Sequence, residues 1–190
     1  MSTPLSSKSS YVIFLLAAIL AAFSQMAWAQ TPPAPGTYTV CPLGTNPNGG
    51  DCDYQSPVTA VNDVARVPGD IIDILTPVTY VLSETLQINK SITIEGNGSV
   101  FDANGIRAIN VVIDPPLIGN LTLNNVTVRN GQAPAGSGGG AVSVSSGAAL
   151  AVTGGIFENN QAEFGGAIHN NGSISVTLLE SVFSGNQATA

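Results

Sequence analysis

Three charged residues at matching positions of a repeated phrase are the candidates for catalysis: Asp102, Arg129 and Glu158. A pair of carboxyl groups about 5–10 Å apart across a groove can hydrolyse a glycosidic bond, and a basic residue near acidic ones can serve as the base of a polysaccharide lyase. The same alternation of acid, base and acid on neighbouring strands also forms a surface row in which opposite charges stabilise one another. We interpret the three residues as such a row, and they are catalytic candidates only if the protein is an enzyme.

Other residues with chemical potential lack the partners that catalysis requires. His169 is the single histidine, and no Gly-x-Ser-x-Gly nucleophile pattern accompanies it. No second His or Cys lies at zinc-ligand spacing from His169. The glycine-rich run at 136–140 lacks the Gly-Lys-Ser/Thr ending of a phosphate-binding loop. The sequence therefore predicts an exposed turn histidine, a flexible glycine loop, no metal ion and no cofactor.

A recurring Phe-x-x-Asn phrase predicts how the chain is organised. Aligned on residues 101, 128, 157 and 183, the phrase repeats in steps of 27, 29 and 26 residues. A unit of this length cannot bury its apolar face alone, so successive units stack into a solenoid with matching positions about 4.8 Å apart. The phrase predicts an inward apolar stack of Phe101, Val128, Phe157 and Phe183, and turn positions at Asn104, Asn160 and Asn186.

Short strands with a period of two follow one another from residue 70 onward, with turn residues between them. No helices connect them, which excludes a doubly wound α/β fold. Ahead of the strands, Ser56 as N-cap and Pro57 at the first helical position predict a short helix over residues 56–67 that caps the solenoid. We expect a β-solenoid over residues 70–190. We also expect its C-terminal end to be incomplete and to be covered by missing chain or by a partner.

The Phe-x-x-Asn phrases, together with Gly-Gly-Ala-Val at 139–142 and Gly-Gly-Ala-Ile at 165–168, resemble the repeats of polymorphic outer-membrane proteins. The region from Cys52 to Ile94 is similar to the amino-terminal part of bacterial surface proteins with a CSLREA-type motif. In those proteins a cysteine leads a short helix, a Gly-Asp pair and the start of a β-helix. After Cys52 this chain reads Asp-Tyr-Gln-Ser in place of the Leu-Arg-Glu of the motif. The resemblance implies an all-β, right-handed parallel β-helix of the pectate-lyase-like kind.

The composition and the first residues favour an extracellular protein. The chain carries 5 basic and 12 acidic residues, a balance that argues against nucleic acid and anionic membranes as partners. Residues 1–29 have the form of a secretory signal, with Lys8, an apolar run over 11–23 and the small residues Ala27 and Ala29 at the cleavage site. The apolar run is shorter than the about 20 residues that span a bilayer, so we expect no transmembrane segment in the mature chain.

Residues 30–55 are rich in Pro and Gly and contain both cysteines of the chain, Cys41 and Cys52. In an oxidising compartment a local disulfide is the default for such a pair. A metal site is the alternative, and it lacks further ligands at suitable spacing. We therefore interpret the two cysteines as a structural bridge.

Two functional hypotheses follow. The first is a non-catalytic secreted or cell-surface module, adhesin-like or similar to an autotransporter passenger, which binds partner surfaces or carbohydrate and lies outside the cell or on the outer membrane. The alternative is a polysaccharide lyase or hydrolase of the pectate-lyase-like fold. The repeats fill the chain and leave room for one modest loop near residues 131–139, which favours the first hypothesis because active clefts are usually built by loops.

The signal-peptide prediction has a direct test. We expect exported protein to begin at Gln30, because signal peptidase cleaves after small residues such as Ala29. Amino-terminal sequencing of secreted protein measures this. Mature protein that begins at Met1 would contradict the prediction.

Overall fold

The structure, a computed structural model, describes residues 34–42, 52–63 and 67–190. Within them the chain forms one short helix, α1 (Pro57–Asn62), and seventeen strands. The predicted signal peptide, residues 1–29, and its cleavage site between Ala29 and Gln30 lie outside the described residues. The strands are β1 Thr37–Val40, β2 Asp70–Ile74, β3 Thr79–Val81, β4 Leu86–Ile88, β5 Ser91–Asp102, β6 Ile109–Val111, β7 Ile113–Asp114, β8 Leu117–Ile118, β9 Asn120–Arg129, β10 Val142–Val144, β11 Ala149–Thr153, β12 Ile156–Glu158, β13 Gln161–Ala162, β14 Ile168–Asn170, β15 Ser175–Leu179, β16 Val182–Ser184 and β17 Gln187–Ala188.

Parallel pairing between successive coils builds a β-solenoid of about four turns. The first sheet has nine strands in the order β1-β2-β5-β9-β11-β15, with β3, β12 and β16 paired beside this path. The second sheet has four strands in the order β14-β10-β6-β4, and β13 pairs with β17. The hairpin of β7 and β8 is the antiparallel exception among the described strands. The predicted all-β parallel β-helix is confirmed.

Alternate residues of each strand form the core of the solenoid. In the first sheet Ile92, Leu121 and Leu150 are register partners on β5, β9 and β11, and all three are buried. In the second sheet the buried register partners Ile109 and Val142 repeat the pattern. Because the strand period is two, the residues between these positions lie on the outer faces, where they are available to a ligand.

The Phe-x-x-Asn phrase places its apolar residue on the inner face in every coil. Phe101, Val128 and Phe157 are register partners and are fully buried. Phe183 is the register partner of Phe157, and the two rings stack with their centroids 5.0 Å apart. The ring of Phe183 is nevertheless 45% exposed, because Phe157 covers one of its two faces. The expected burial of Phe183 is therefore not observed.

Two of the three predicted turn asparagines form a ladder of side-chain amides. The buried Asn160 donates from Nδ2 to the carbonyl of Val128, 3.1 Å away. Asn186 makes the same bond one coil later, from Nδ2 to the carbonyl of Phe157 at 2.8 Å. The amides also bond to each other, from Asn160 Nδ2 to Asn186 Oδ1 at 2.9 Å. The ladder thus satisfies backbone groups at the corner of the solenoid.

Asn104 does not join this ladder and lies exposed at its corner. In this coil the residue with the left-handed backbone conformation is residue 104 itself, with φ of 47°. In the next two coils that conformation falls one position earlier in the phrase, at residues 130 and 159. The later turn directs the Asn104 side chain away from the core.

Helix α1 covers the N-terminal end of the core. Ser56 Oγ accepts a hydrogen bond from the Val58 N–H at 3.1 Å, and Pro57 occupies the first turn. The buried residues of the helix belong to the same apolar cluster as the strands. The helix ends at Asn62, earlier than predicted, because Asp63 has an extended backbone with ψ of 117°.

The Pro/Gly-rich N-terminal segment contributes to the solenoid. Strand β1 pairs with β2 in parallel, so the first sheet begins ahead of α1 rather than at residue 70. Cys41 and Cys52 form a disulfide with their Cα atoms 5.8 Å apart. The bridge ties the end of β1 to the segment that leads into the helix.

Truncation of the stacked rings tests the core register. We expect Phe157→Ala to lower the free energy of unfolding by about 3–5 kcal/mol, because it removes a fully buried ring. Phe183→Ala is the matched control, and its cost should be clearly smaller because this ring is already partly exposed. Urea unfolding of both variants measures the two costs. Equal costs would contradict the difference in burial.

Candidate functional site

A row of polar side chains runs along the outer face of the second sheet. Gln87, Asn110, Ser143 and His169 are register partners on β4, β6, β10 and β14. Neighbouring strands lie about 4.8 Å apart, so the four side chains form a regular line parallel to the solenoid axis. Asn110 Nδ2 donates to Gln87 Oε1 at 3.1 Å, and no other hydrogen bond involves these four side chains within the described residues. We call this line the polar ladder.

The loop over residues 132–138 forms a wall beside the polar ladder, and Arg107 holds it in place. The guanidinium Nε donates to the carbonyl of Gly139 at 3.1 Å. Its Nη2 donates to the carbonyl of Gly138 at 2.9 Å and to Ser137 Oγ at 2.8 Å. In the same loop, Glu163 Oε2 accepts from the N–H of Gly136 at 2.9 Å. Two charged side chains thus fix an otherwise glycine-rich loop.

Gly138 lets the loop lie directly on His169. A Cβ atom at this position would lie 2.7 Å from His169 Cδ2 and 2.7 Å from the carbonyl oxygen of Phe164. The ring of Phe164 is 46% exposed and its centroid is 6.3 Å from that of His169. The loop therefore brings the Arg107 guanidinium, the His169 imidazole and an exposed phenyl ring to one place on the surface.

Two neighbouring pockets, which we call lobes, lie along the ladder and the wall. The first lobe, about 620 Å³, is lined by Asn110, Ser143, Phe164 and His169 together with loop residues. The second lobe, about 540 Å³, lies towards β4 and is lined by residues that include Gln87. Arg107 lines both lobes. We call the two lobes together the axial cleft.

The lining of the axial cleft is free of carboxylates. The chain has 12 acidic residues against 5 basic ones, yet the described residues that line the two lobes include one arginine, one histidine and no acid. Within the described part of the chain, Arg107 forms no salt bridge, and its Nη1 makes no hydrogen bond. Burial lowers the pKa of the Arg107 guanidinium from its ordinary value. The guanidinium nevertheless stays charged, because arginine is not deprotonated in proteins. The lining of the cleft thus carries one formal charge, that of Arg107, on an acidic protein.

The predicted charge row forms on the first sheet and does not line either lobe of the axial cleft. Asp102, Arg129 and Glu158 are register partners. Arg129 Nε lies 3.0 Å from Asp102 Oδ2, and Arg129 Nη1 lies 4.0 Å from Glu158 Oε1. Asn130 Nδ2 contacts both oxygens of Asp102 at 3.1 Å. Because the carboxylates of Asp102 and Glu158 pair with the Arg129 guanidinium, the row has the geometry of a surface ion-pair network.

The surroundings of Asp102 shift its acidity. Desolvation alone would raise the pKa of the Asp102 carboxyl, but hydrogen bonds from Asn130, Arg129 and the Asn104 N–H outweigh it. The net result is a pKa below the usual 3.8. A general acid requires a raised pKa at neutral pH, so Asp102 is unsuited to that role.

Sequence reasoning missed Arg107 as a functional residue and assigned His169 to an exposed turn. His169 instead lies in strand β14 and is half-buried in the axial cleft. The two Gly-Gly-Ala motifs carried a signal for this placement, since aligning 139–142 with 165–168 puts His169 level with Ser143. Arg107 had no such signal, because its three bonds reach residues 30 to 32 positions away.

Among the described residues, no group of three or more His, Cys, Asp and Glu side chains is placed to hold a metal ion. Within the same residues, no helix has the length and apolar character needed to cross a membrane.

The solved structure of the PL6 family alginate lyase AlyGC resembles this protein. The likeness has a TM-score of 0.52 at 21% sequence identity and covers 80% of this chain but 20% of that chain. At this identity the likeness shows a shared parallel β-helix fold and no more. No protein-family model and no curated protein matches the chain, so the resemblance to polymorphic outer-membrane and CSLREA-type proteins stays a prediction.

The acid dependence of stability tests the charge row. Folding lowers the pKa of the Asp102 carboxyl below 3.8, its value in the unfolded chain. The carboxylate therefore stabilises the folded protein at pH values above 3.8, and this contribution is lost as the pH falls below 3.8. Between about pH 5 and about pH 3 we therefore expect wild-type protein to lose more free energy of unfolding than Asp102→Asn. Urea titrations at both pH values measure this. Glu180→Gln, which removes an exposed acid, is the control. Equal acid sensitivity of the wild-type protein and Asp102→Asn would refute the ion-pair network.

Proposed function

We propose that the protein acts on an acidic polysaccharide, which it holds in the axial cleft. The observation that carries this proposal is the cationic, carboxylate-free lining of the cleft on a chain with a net charge of −7. On this acidic chain one arginine, with a free edge, faces the place where a polymer could lie. A uronate carboxylate complements that edge.

The chemistry of the lining suits a sugar chain. Arg107 Nη1 can donate to a carboxylate, and charge-assisted hydrogen bonds of this kind are shorter and stronger than neutral ones. The side chains of Ser143 and His169 on the polar ladder have no protein hydrogen-bond partner within the described residues, and they can bond sugar hydroxyls. The exposed ring of Phe164 offers an apolar surface for the C–H face of a pyranose. Polar groups and one aromatic ring in a concave site are typical of ligand pockets.

The structural likeness supports the same class of ligand. AlyGC is an alginate lyase, and alginate is a polymer of uronic acids. This chain spans 20% of that protein, so an activity for this chain is our proposal. The likeness favours a polysaccharide-processing role over the adhesin-like role that the repeats first suggested, for which no comparison gives support. Action on polysaccharide also agrees with the proposed secretion.

We propose cleavage by β-elimination as the activity, because Arg107 and His169 line the same lobe of the axial cleft. Gly138 lies between Arg107, which bonds its carbonyl, and the imidazole of His169. In elimination, a base removes the proton at C5 of a uronate, the electron pair forms the C4–C5 double bond, and the bond from C4 to the glycosidic oxygen breaks. His169 would take the C5 proton and return it to the leaving oxygen, while Arg107 would stabilise the negative charge that develops on the carboxylate.

A charge-matched pair of variants tests the proposal. We expect Arg107→Gln to weaken the binding of polyuronate about tenfold or more, because a charged hydrogen bond contributes about 1.5–3 kcal/mol. Arg129→Gln removes the same charge from the first sheet and should change binding less than about twofold. Calorimetric titration with polymannuronate, polygalacturonate and a neutral glucan measures both, and circular dichroism confirms folding.

The outcomes are distinct. Equal binding of the neutral glucan, or equal loss in the two arginine variants, would contradict the proposal. The ultraviolet absorbance of unsaturated uronate reports cleavage separately, and its loss in His169→Ala with binding retained would identify the imidazole as the base.

A further inference from the structure

We infer that the two lobes of the axial cleft form one continuous binding site, in which an acidic oligosaccharide lies along the solenoid axis with Arg107 at its middle. This inference rests on the proposed function and adds the direction and the length of the ligand. It assigns the second lobe, towards β4, as a binding site for sugar units on the far side of Arg107.

Two contacts join the lobes. Arg107 lines both of them, so its charge faces a ligand from the middle of the cleft. The floor is also continuous, because Gln87 lies in the second lobe, Asn110 lies in the first, and the two side chains are hydrogen bonded at 3.1 Å. No backbone crosses the floor between these two residues, since β4 and β6 are paired neighbours in the sheet.

The wall is continuous as well. One loop borders the cleft along its length, with Pro134 and Ala135 at the second lobe and Gly136 to Gly138 at the first. Arg107 bonds the loop at Ser137 and Gly138, and Glu163 bonds it at Gly136, so the wall is held in position before any ligand arrives. A preorganised wall spares the ligand the cost of ordering the loop.

The spacing of the ladder matches a sugar polymer. Four ladder residues span three strand separations of about 4.8 Å each, a floor of about 14 Å. A floor of this length exceeds a single pyranose ring, so a ligand that covers it is an oligosaccharide. A ligand confined to the first lobe would contact Arg107 from one side, whereas a longer ligand would also fill the second lobe.

Length-defined uronate oligomers test this inference. We expect wild-type protein to bind a hexamer at least about tenfold more tightly than a dimer, since the hexamer fills both lobes. Ala135→Trp places a large ring in the second lobe at an exposed loop position. It should reduce hexamer affinity to near that of the dimer and leave dimer affinity within about twofold. Ala151→Trp, on the outer face of the first sheet, should change neither affinity.

The results separate this inference from the proposed function. Binding of both oligomers with equal affinity, or an unchanged hexamer affinity in Ala135→Trp, would overturn the continuous site while the proposed function stands. Absence of binding for every uronate oligomer would overturn both. A loss of dimer and hexamer affinity in equal proportion in Ala135→Trp would show that the second lobe alone binds the ligand, which also contradicts the inference.

Discussion

The parallel register of the coils is the constraint on which the rest of this structure depends. Each strand bonds to the equivalent strand one repeat away, so every residue in the sheets faces its counterpart at a separation of about 4.8 Å. Core residues then stack on core residues, as Ile92, Leu121 and Leu150 do. Outer residues stack in the same way, and the register that builds the core also builds the polar ladder and the charge row.

Register also explains why the corners need particular residues. At Gly139 and Gly165 the backbone has φ of 74° and 53°, a conformation that other residues seldom adopt. The glycines that follow them approach the backbone of the adjoining corner so closely that a Cβ atom would collide with it. The Gly-Gly-Ala motifs are therefore steric requirements of the corner, and their length keeps the strands that follow in step. In the loop over residues 132–138 the corner is extended, and there the chain leaves the repeat and forms a wall.

The fold could be predicted from the sequence because it is a repeated local pattern. The phrase around Phe101 and Phe157 recurs, and a repeat of this length has one common solution, a stack of coils. Charge alternation likewise predicted the row on the first sheet, since its members occupy one position of the repeat. The cleft could not be predicted in this way. It depends on a loop that interrupts the repeat and on the bonds of Arg107, which occurs once and reaches across a full coil.

The one-to-one relation between coils and ladder residues has an evolutionary consequence. Duplication or loss of a whole repeat would add or remove one side chain of the polar ladder and would leave every other contact in register. The floor of the cleft would then lengthen or shorten in steps of one strand separation. A solenoid of this kind can thus change the length of its outer surface by unequal recombination between its repeats, whereas a globular fold would have to remodel its loops to do the same.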